Sequence, residues 1–296
     1  MKNYNKILFA FLITPLLVFS QDQEKDSVVD KPERAAFESS YIIDNPTNIV
    51  LSKNSLEVHM AHRFGLLTGG TNDLAGFWAP SNIRIGLAYG IHDRVTIGFG
   101  TTKFDRLQDF NWKVKILEQT RSGKMPISVT YFGNFVVDAR KKDATVTTIS
   151  GSTTPRFINI QDRYSYFNQL IIARRFNSKL SLQVAPSISH YNIVDRYMRN
   201  DMVAISVGGR YKISPNTAIL FDYSQPITEF LQENPSPGLS LGVEFATSAH
   251  AFQLMITNYQ GLVPQKNYMY NQNDPAMGSF FDAFLVGFNI TRIYNF

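Results

Sequence analysis

The chain contains no cysteine, which excludes disulfide bridges, thiolate metal sites, iron-sulfur clusters and cysteine nucleophiles, and with them the lipid attachment point of a bacterial lipoprotein. Charge is also scarce. Asp, Glu, Lys and Arg make up 18% of the 296 residues, below the roughly 25% usual in soluble domains. Beyond Gln21 every apolar stretch is interrupted by polar residues within a few positions, so no later segment predicts a spanning helix. If the mature chain enters a membrane, it does so as strands. The length suits either two ordinary domains or one barrel.

Residues Met1 to Ser20 carry Lys2 and Lys6, then an apolar run from Ile7 to Phe19 broken only by Thr14 and Pro15, and end in Val18-Phe19-Ser20 before Gln21. This is the pattern of a secretory signal peptide, too short for a membrane anchor. Its removal takes Lys+Arg from 29 to 27 against 24 acids and the formal charge from +5 to +3, which leaves no electrostatic case for a nucleic-acid partner. The expected organisation is a signal at 1–20, an N-terminal periplasmic or plug segment at 21–54 and a barrel at 55–296.

From Ser55 the apolar period becomes two. Leu56, Val58 and Met60 alternate with Glu57, His59 and Ala61; Ile83, Ile85, Leu87 and Tyr89 with Asn82, Arg84, Gly86 and Ala88; Val95, Ile97 and Phe99 with Thr96, Gly98 and Gly100. The pattern recurs to the end of the chain, through Trp112, Val114 and Ile116, then Leu180, Leu182 and Val184, then Ile219, Phe221 and Tyr223, and finally Phe284, Val286, Phe288 and Ile290. It does not assign the faces of Tyr164 to Arg174. About twelve strands result, the even number of a closed bacterial barrel, most of them about the length a tilted transmembrane strand needs.

Links near Gly90, Thr120, Arg175, Lys212 and Ala246 are short. Those at Gly65 to Ser81, Lys103 to Phe110, Ala139 to Asp162, Asn192 to Asn200, Ser224 to Pro237 and Asn258 to Phe281 are long. This two-sidedness predicts an all-β, antiparallel up-and-down barrel in a bacterial outer membrane, with long loops outward and both termini periplasmic. A secreted β-sandwich also alternates, but its second rows would not carry Gly, Ser, Gln, Lys and Arg as a lumen would. Tyr294 and the final Phe296 match the terminal aromatic strand that resembles the recognition signal for the barrel-assembly machinery.

The polar rows nominate a lumen lining of Glu57, Arg63, Arg84, Arg94, Lys113, Lys115, Asp138, Arg210, Asp222 and Glu244, six basic groups among ten. Such rings select ions or anionic solutes, or else form a salt-bridged filling. No catalytic, cofactor or metal site is expected. His59 and His62 fall on opposite faces of one strand, and His92 and His250 fall in turns. Gly65-Leu66-Leu67-Thr68-Gly69-Gly70 lacks the Lys-Ser/Thr and helix of a phosphate loop. His190, with Tyr191 and Asn192, is the nearest imitation of a membrane phospholipase site and has no positioned serine.

His62-Arg63-Phe64-Gly65, the hairpin from Asn82 to Arg94 and the ending Gly287-Phe288-Asn289-Ile290-Thr291-Arg292 resemble an uncharacterised barrel family of Bacteroidota outer membranes, a domain of unknown function. The resemblance covers roughly Phe37 to Phe296, and the Phe19-Ser20-Gln21 site is similar to signals of that phylum. It implies location and fold, with no activity. The leading expectation is a narrow, anion-leaning uptake pore for a small solute, narrowed or plugged because twelve strands fall between a filled barrel and an open channel. The alternatives are a non-conducting anchor or binding module acting through its outer loops and, third, a membrane-embedded lipid-modifying enzyme.

Overall fold

Apolar rows at period two are stable only where one face of each strand meets lipid or a core, and here they close a ring. The computed structural model describes residues 30–141, 146–149, 152–277 and 280–296. The signal segment predicted at 1–20 lies outside them. In chain order the strands are β1 (Tyr41–Ile42), β2 (Asn45–Pro46), β3 (Ser55–Leu66), β4 (Asn82–His92), β5 (Val95–Thr102), β6 (Leu107–Leu117), β7 (Ser128–Asp138), β8 (Val146–Ile149), β9 (Ser152–Pro155), β10 (Tyr164–Arg175), β11 (Leu180–Tyr191), β12 (Asp201–Lys212), β13 (Thr217–Pro226), β14 (Gly238–Ala246), β15 (His250–Thr257) and β16 (Leu285–Asn295).

Strands β3–β7 and β10–β16 form one closed antiparallel barrel, sealed where β16 pairs with β3, Ile290 opposite Met60 and Tyr294 opposite Leu56. Closure leaves no unpaired edge, the condition for strands in hydrocarbon. Ile85, Leu87, Phe221 and Leu254 point outward and are exposed, while their neighbours Arg84, Gly86, Asp222 and Gln253 point inward and are buried. An α-helix, α1 (Pro264–Tyr270), enters the barrel from the end that carries the longer loops. Its Tyr268 and Met269 pack on inward-facing Phe132, Phe167, Ile171 and Met202.

Several expectations need correction. The link expected from Lys103 to Phe110 narrows to 103–106, because Asp105 and Arg106 both adopt left-handed backbone (φ 57° and 48°) and reverse the chain at once, so β6 starts at Leu107. The long links at 139–162 and 258–281 carry elements of their own, the β8–β9 hairpin and α1. Phe284 precedes the last strand and is buried. In β10, Ser165, Phe167, Gln169, Ile171 and Ala173 face inward.

The N-terminal segment lies inside the ring. Residues 30–34 are tied to the β6–β7 turn through Glu33 N–H on Gln119 O (2.7 Å) and Arg121 N–H on Lys31 O (3.0 Å). The chain then runs into the barrel, where β1 and β2 form a small hairpin turned by Ile43 and Asp44. Ile43 holds a left-handed φ of 52°, an outlier for a β-branched residue that persists only where its surroundings impose it. The imposition comes from the wall: Gln253 accepts its N–H (3.3 Å), and Arg63 and Asn289 donate to its carbonyl (3.2 and 2.8 Å).

Candidate functional site

Most inward polar groups of the wall are buried and need partners in place of water, and the hairpin supplies many of them. Asp44 pairs with Arg63 at 2.9 Å and accepts from the hydroxyls of Ser240 (2.7 Å) and Thr257 (2.8 Å). Asp222 binds the turn, accepting the N–H groups of Asp44 and Asn45 (both 3.1 Å) and the Asn45 side-chain amide (2.8 Å). Asn45 in turn accepts the hydroxyl of Tyr268 on α1 at 2.6 Å. The hairpin therefore reaches from one end of the lumen to the helix inserted from the other.

The stems are gripped in the same way. Lys113 donates to the carbonyls of Ser40 (2.7 Å) and Thr47 (2.9 Å), Ser40 donates to Glu57, and Gln183 donates to Pro46 O (2.9 Å). Thr130 donates to Asn48 O (3.1 Å), and Leu51 N–H donates to Thr96 (2.9 Å). The Tyr41 ring stacks on His59 at 4.7 Å, with Arg84 and Lys113 over its face at 5.8 and 5.6 Å. Arg84 is held by a two-pronged pair with Asp109, both contacts 2.8 Å. Arg210 pairs with Glu244 at 2.7 Å. An apolar patch completes the contact, Phe37, Ile42 and Ile43 packing with Leu220 and Met255.

Of the nominated lining, Glu57, Arg63, Arg84, Lys113, Arg210, Asp222 and Glu244 are buried inside the barrel. Asp138 is buried at the loop end against Arg140. Two residues lie at the short-turn end, outside the buried lining. Arg94 is exposed in the two-residue turn between β4 and β5. Lys115 stays on the inner row, opposite the buried Thr130, and is partly exposed beside Glu118 (2.8 Å). With these two set aside and Asp109 added, the buried ionisable groups of the wall are Arg63, Arg84, Lys113 and Arg210 against Glu57, Asp109, Asp138, Asp222 and Glu244. The basic excess expected of the lumen is absent from that set.

Asp109 lay inside the loop expected at 103–110, although extending the outward row Phe110, Trp112, Val114 one residue back puts Asp109 on the inner face. Asp44 and Asn45 carried no periodic signal. His59 faces the lumen, and His62 faces out, stacked on Phe288 at 5.0 Å. No group of three potential metal ligands occurs among the described residues. His190 sits at the loop end between Asp201 (2.8 Å) and Asn192 (3.2 Å), an acid and an amide.

Above the hairpin a basin of about 620 Å³ opens at the loop end, between the β5–β6 turn and the stretch that contains α1. α1 packs against β10 to β13, and the basin overlies β4 to β6 on the other side of the lumen.

No curated protein sequence matches the chain. Among solved structures it is similar to the NanC porin (7% identity, TM-score 0.48, 81% of this chain and 99% of that one) and the KdgM porin (6%, 0.45, 82% and 99%). It is also similar to an outer membrane channel from Pseudomonas putida F1 (10%, 0.47, 83% and 97%). A family model described as a membrane bound beta barrel domain (DUF5777) matches residues 37–294, which takes in the lumenal hairpin as well as all twelve barrel strands, and the chain belongs to that family.

Proposed function

We propose that this protein is an outer-membrane barrel closed at rest by its own N-terminal segment, and that it passes small solutes only when that segment is displaced. The observation that carries the reading is the hairpin itself, whose polar groups are bonded to strands around the ring, from Arg63 on β3 through Lys113 on β6 and Gln183 on β11 to Asp222 on β13. Such a contact is releasable. Wall and hairpin are both rich in groups that water satisfies once the lumen fills, so unseating costs less than exposing an apolar interface of the same size. The solute preference of the opened lumen is set by near-balanced wall charge, which gives no support to anion selectivity. The short turns and both chain ends face the periplasm, Phe296 serves the assembly machinery, and the chain has no catalytic role.

A second reading, a static filled barrel that serves as an anchor or binding scaffold, is favoured by the apolar seating of Phe37, Ile42 and Ile43 on Leu220 and Met255. Planar-bilayer recording separates the two. The full barrel is expected to be silent with rare openings, and a variant lacking residues 30–54 to conduct steadily. A folded, heat-modifiable deletion variant that stays silent overturns the gated channel in favour of the static scaffold.

A further inference from the structure

A strand that faces hydrocarbon turns apolar side chains outward, because lipid tails offer a polar group neither donor nor acceptor. Among the described residues the outward rows of the barrel carry three amides, Gln108, Gln225 and Asn168. Gln108 and Gln225 are each the second residue from the loop end of their strand, and both use their N–H groups within the chain, Gln108 on Thr101 and Gln225 on the Pro226 carbonyl (both 2.8 Å). Asn168 differs on both counts. It stands on β10 between Tyr166 on the loop side and Leu170 on the turn side, opposite Gly133, the central residue of β7.

The Asn168 carbonyl accepts the Tyr131 hydroxyl at 2.5 Å, and its amide N–H groups have no partner among the described residues. The side chain is part-exposed on the outward face, so those donors meet hydrocarbon. The wall beside it has a second irregularity. Pro186 of β11 is outward and exposed and brings no N–H to the sheet. The β10–β11 ladder passes from Gln169 opposite Ser187 to Ile172 opposite Val184 with no pair between, and by that register Pro186 stands across from Leu170. A proline inside a closed barrel weakens the ladder where lipid cannot repair it. Both features thus adjoin Leu170, in one outward patch with Val184 and Ile188.

Whatever covers this patch must bring a hydrogen-bond acceptor to the middle of the wall. Lipid tails bring none, so the cover is protein. An asparagine side chain carries donors and an acceptor together, and its oxygen has a second lone pair to give while it keeps the Tyr131 bond. It is therefore complementary to itself across a two-fold axis, where the same patch of each copy meets the other. Amide side chains join membrane segments in this way. We propose that two copies of this chain pair side by side through β10 and β11, each Asn168 donating to the Asn168 carbonyl of the other, with Leu170, Val184, Pro186 and Ile188 closing around the two amides. No lumenal residue takes part, so the pairing stands whether or not the hairpin moves.

The chain has no cysteine, so a single introduced thiol reports its position without ambiguity. Leu170→Cys on the patch and Ile290→Cys on β16, on the opposite wall of the ring, are reconstituted in phosphatidylcholine vesicles and oxidised with copper phenanthroline. Leu170→Cys is expected to give a disulfide-linked dimer at lipid ratios where Ile290→Cys stays monomeric. Energy transfer between dye-labelled barrels, followed as lipid dilutes them, gives the pairing constant. Asn168→Leu keeps the barrel heat-modifiable, since the side chain lies off the ladder and outside the lumen, and weakens pairing by about fivefold or more, the worth of two hydrogen bonds between membrane segments. Tyr131→Phe leaves the Asn168 N–H groups in place and keeps the pairing. Cross-linking of Leu170→Cys no greater than that of Ile290→Cys, pairing unchanged in Asn168→Leu or an equal loss in Tyr131→Phe overturns the proposal.

Discussion

Asp44 of the lumenal hairpin and Arg63 of β3 meet at 2.9 Å, with 2% and 1% of their side chains exposed. Removing one member of such a pair strands the other charge away from water, at a cost of about 3 kcal/mol or more. In Asp44→Asn the cost falls on the seating of the hairpin, because the ladder bonds of β3 to β4 and β16 are backbone bonds that do not involve Asp44. We expect the variant to assemble as a heat-modifiable barrel, to lose amide exchange protection over residues 39–48 and to open far more often in bilayers. Unchanged protection there refutes the assignment of Asp44 as the anchor.

Gly100 faces Arg84 and Asp109 so closely that an added Cβ would lie 2.4 Å from both the Arg84 guanidinium and the Asp109 carboxylate. Gly100→Ala should pry the pair apart and destabilise the barrel by about 1–3 kcal/mol. Gly209 makes a useful control, since a Cβ there meets only the end of the flexible Leu182 side chain at 3.1 Å. Urea unfolding in detergent reads the difference, and equal midpoints for the two alanine variants would contradict it.

Phe167 stacks on Tyr268 of α1 with ring centres 5.6 Å apart and planes within 11°. Phe167→Ala removes the platform on which the helix rests, at about 3 kcal/mol. The expected readout is faster amide exchange over 264–270 with the strand amides unaffected. Exchange that spreads around the whole ring would mean that Phe167 supports the barrel and not the helix.

Asp105, clamped by Arg140 at 2.8 Å and Lys266 at 2.9 Å, sets a pH dependence with a definite sign. A carboxyl whose folded pKa is depressed contributes stability above its unfolded pKa and loses it as pH falls through the lower folded value. Burial disfavours the charged form of Asp105, but the two cations outweigh that and lower its pKa, so order in the β5–β6 turn and in residues 260–273 should be flat from neutral pH down and fail only below the ordinary carboxylate range, about pH 4. Asp105→Asn should abolish that dependence. An acid transition that persists in the asparagine variant places the titrating group elsewhere.

The outward rows were legible because lipid imposes one requirement on all of them, and Ile85, Leu87, Phe221 and Leu254 meet it whatever lies across the barrel. The inner rows answer to local partners. β10 resisted assignment because Phe167 and Ile171 face inward beneath α1, while Asn168 faces outward and accepts the Tyr131 hydroxyl at 2.5 Å. Arg94 and Lys115 keep the parity of the inner row but lie at the short-turn end, where the pattern of alternation does not say how far the buried lining extends. The roles of Asp44 and Asn45 depend on Arg63 and Asp222, distant in the chain and near only once the ring has closed, so no local pattern announces them.

Tyr268 of α1 donates to Asn45 of the hairpin at 2.6 Å, and that bond joins an element entered from the loop end to one entered from the other. Whatever holds α1 in its present place also holds the hairpin, and a pull on the N-terminal segment loosens α1 and the rim of the basin that α1 supplies. By thermodynamic reciprocity the two effects are equal in size. The barrel is thus expected to act as a balance with one beam, on which a displacement at either end of the lumen is weighed against the state of the other.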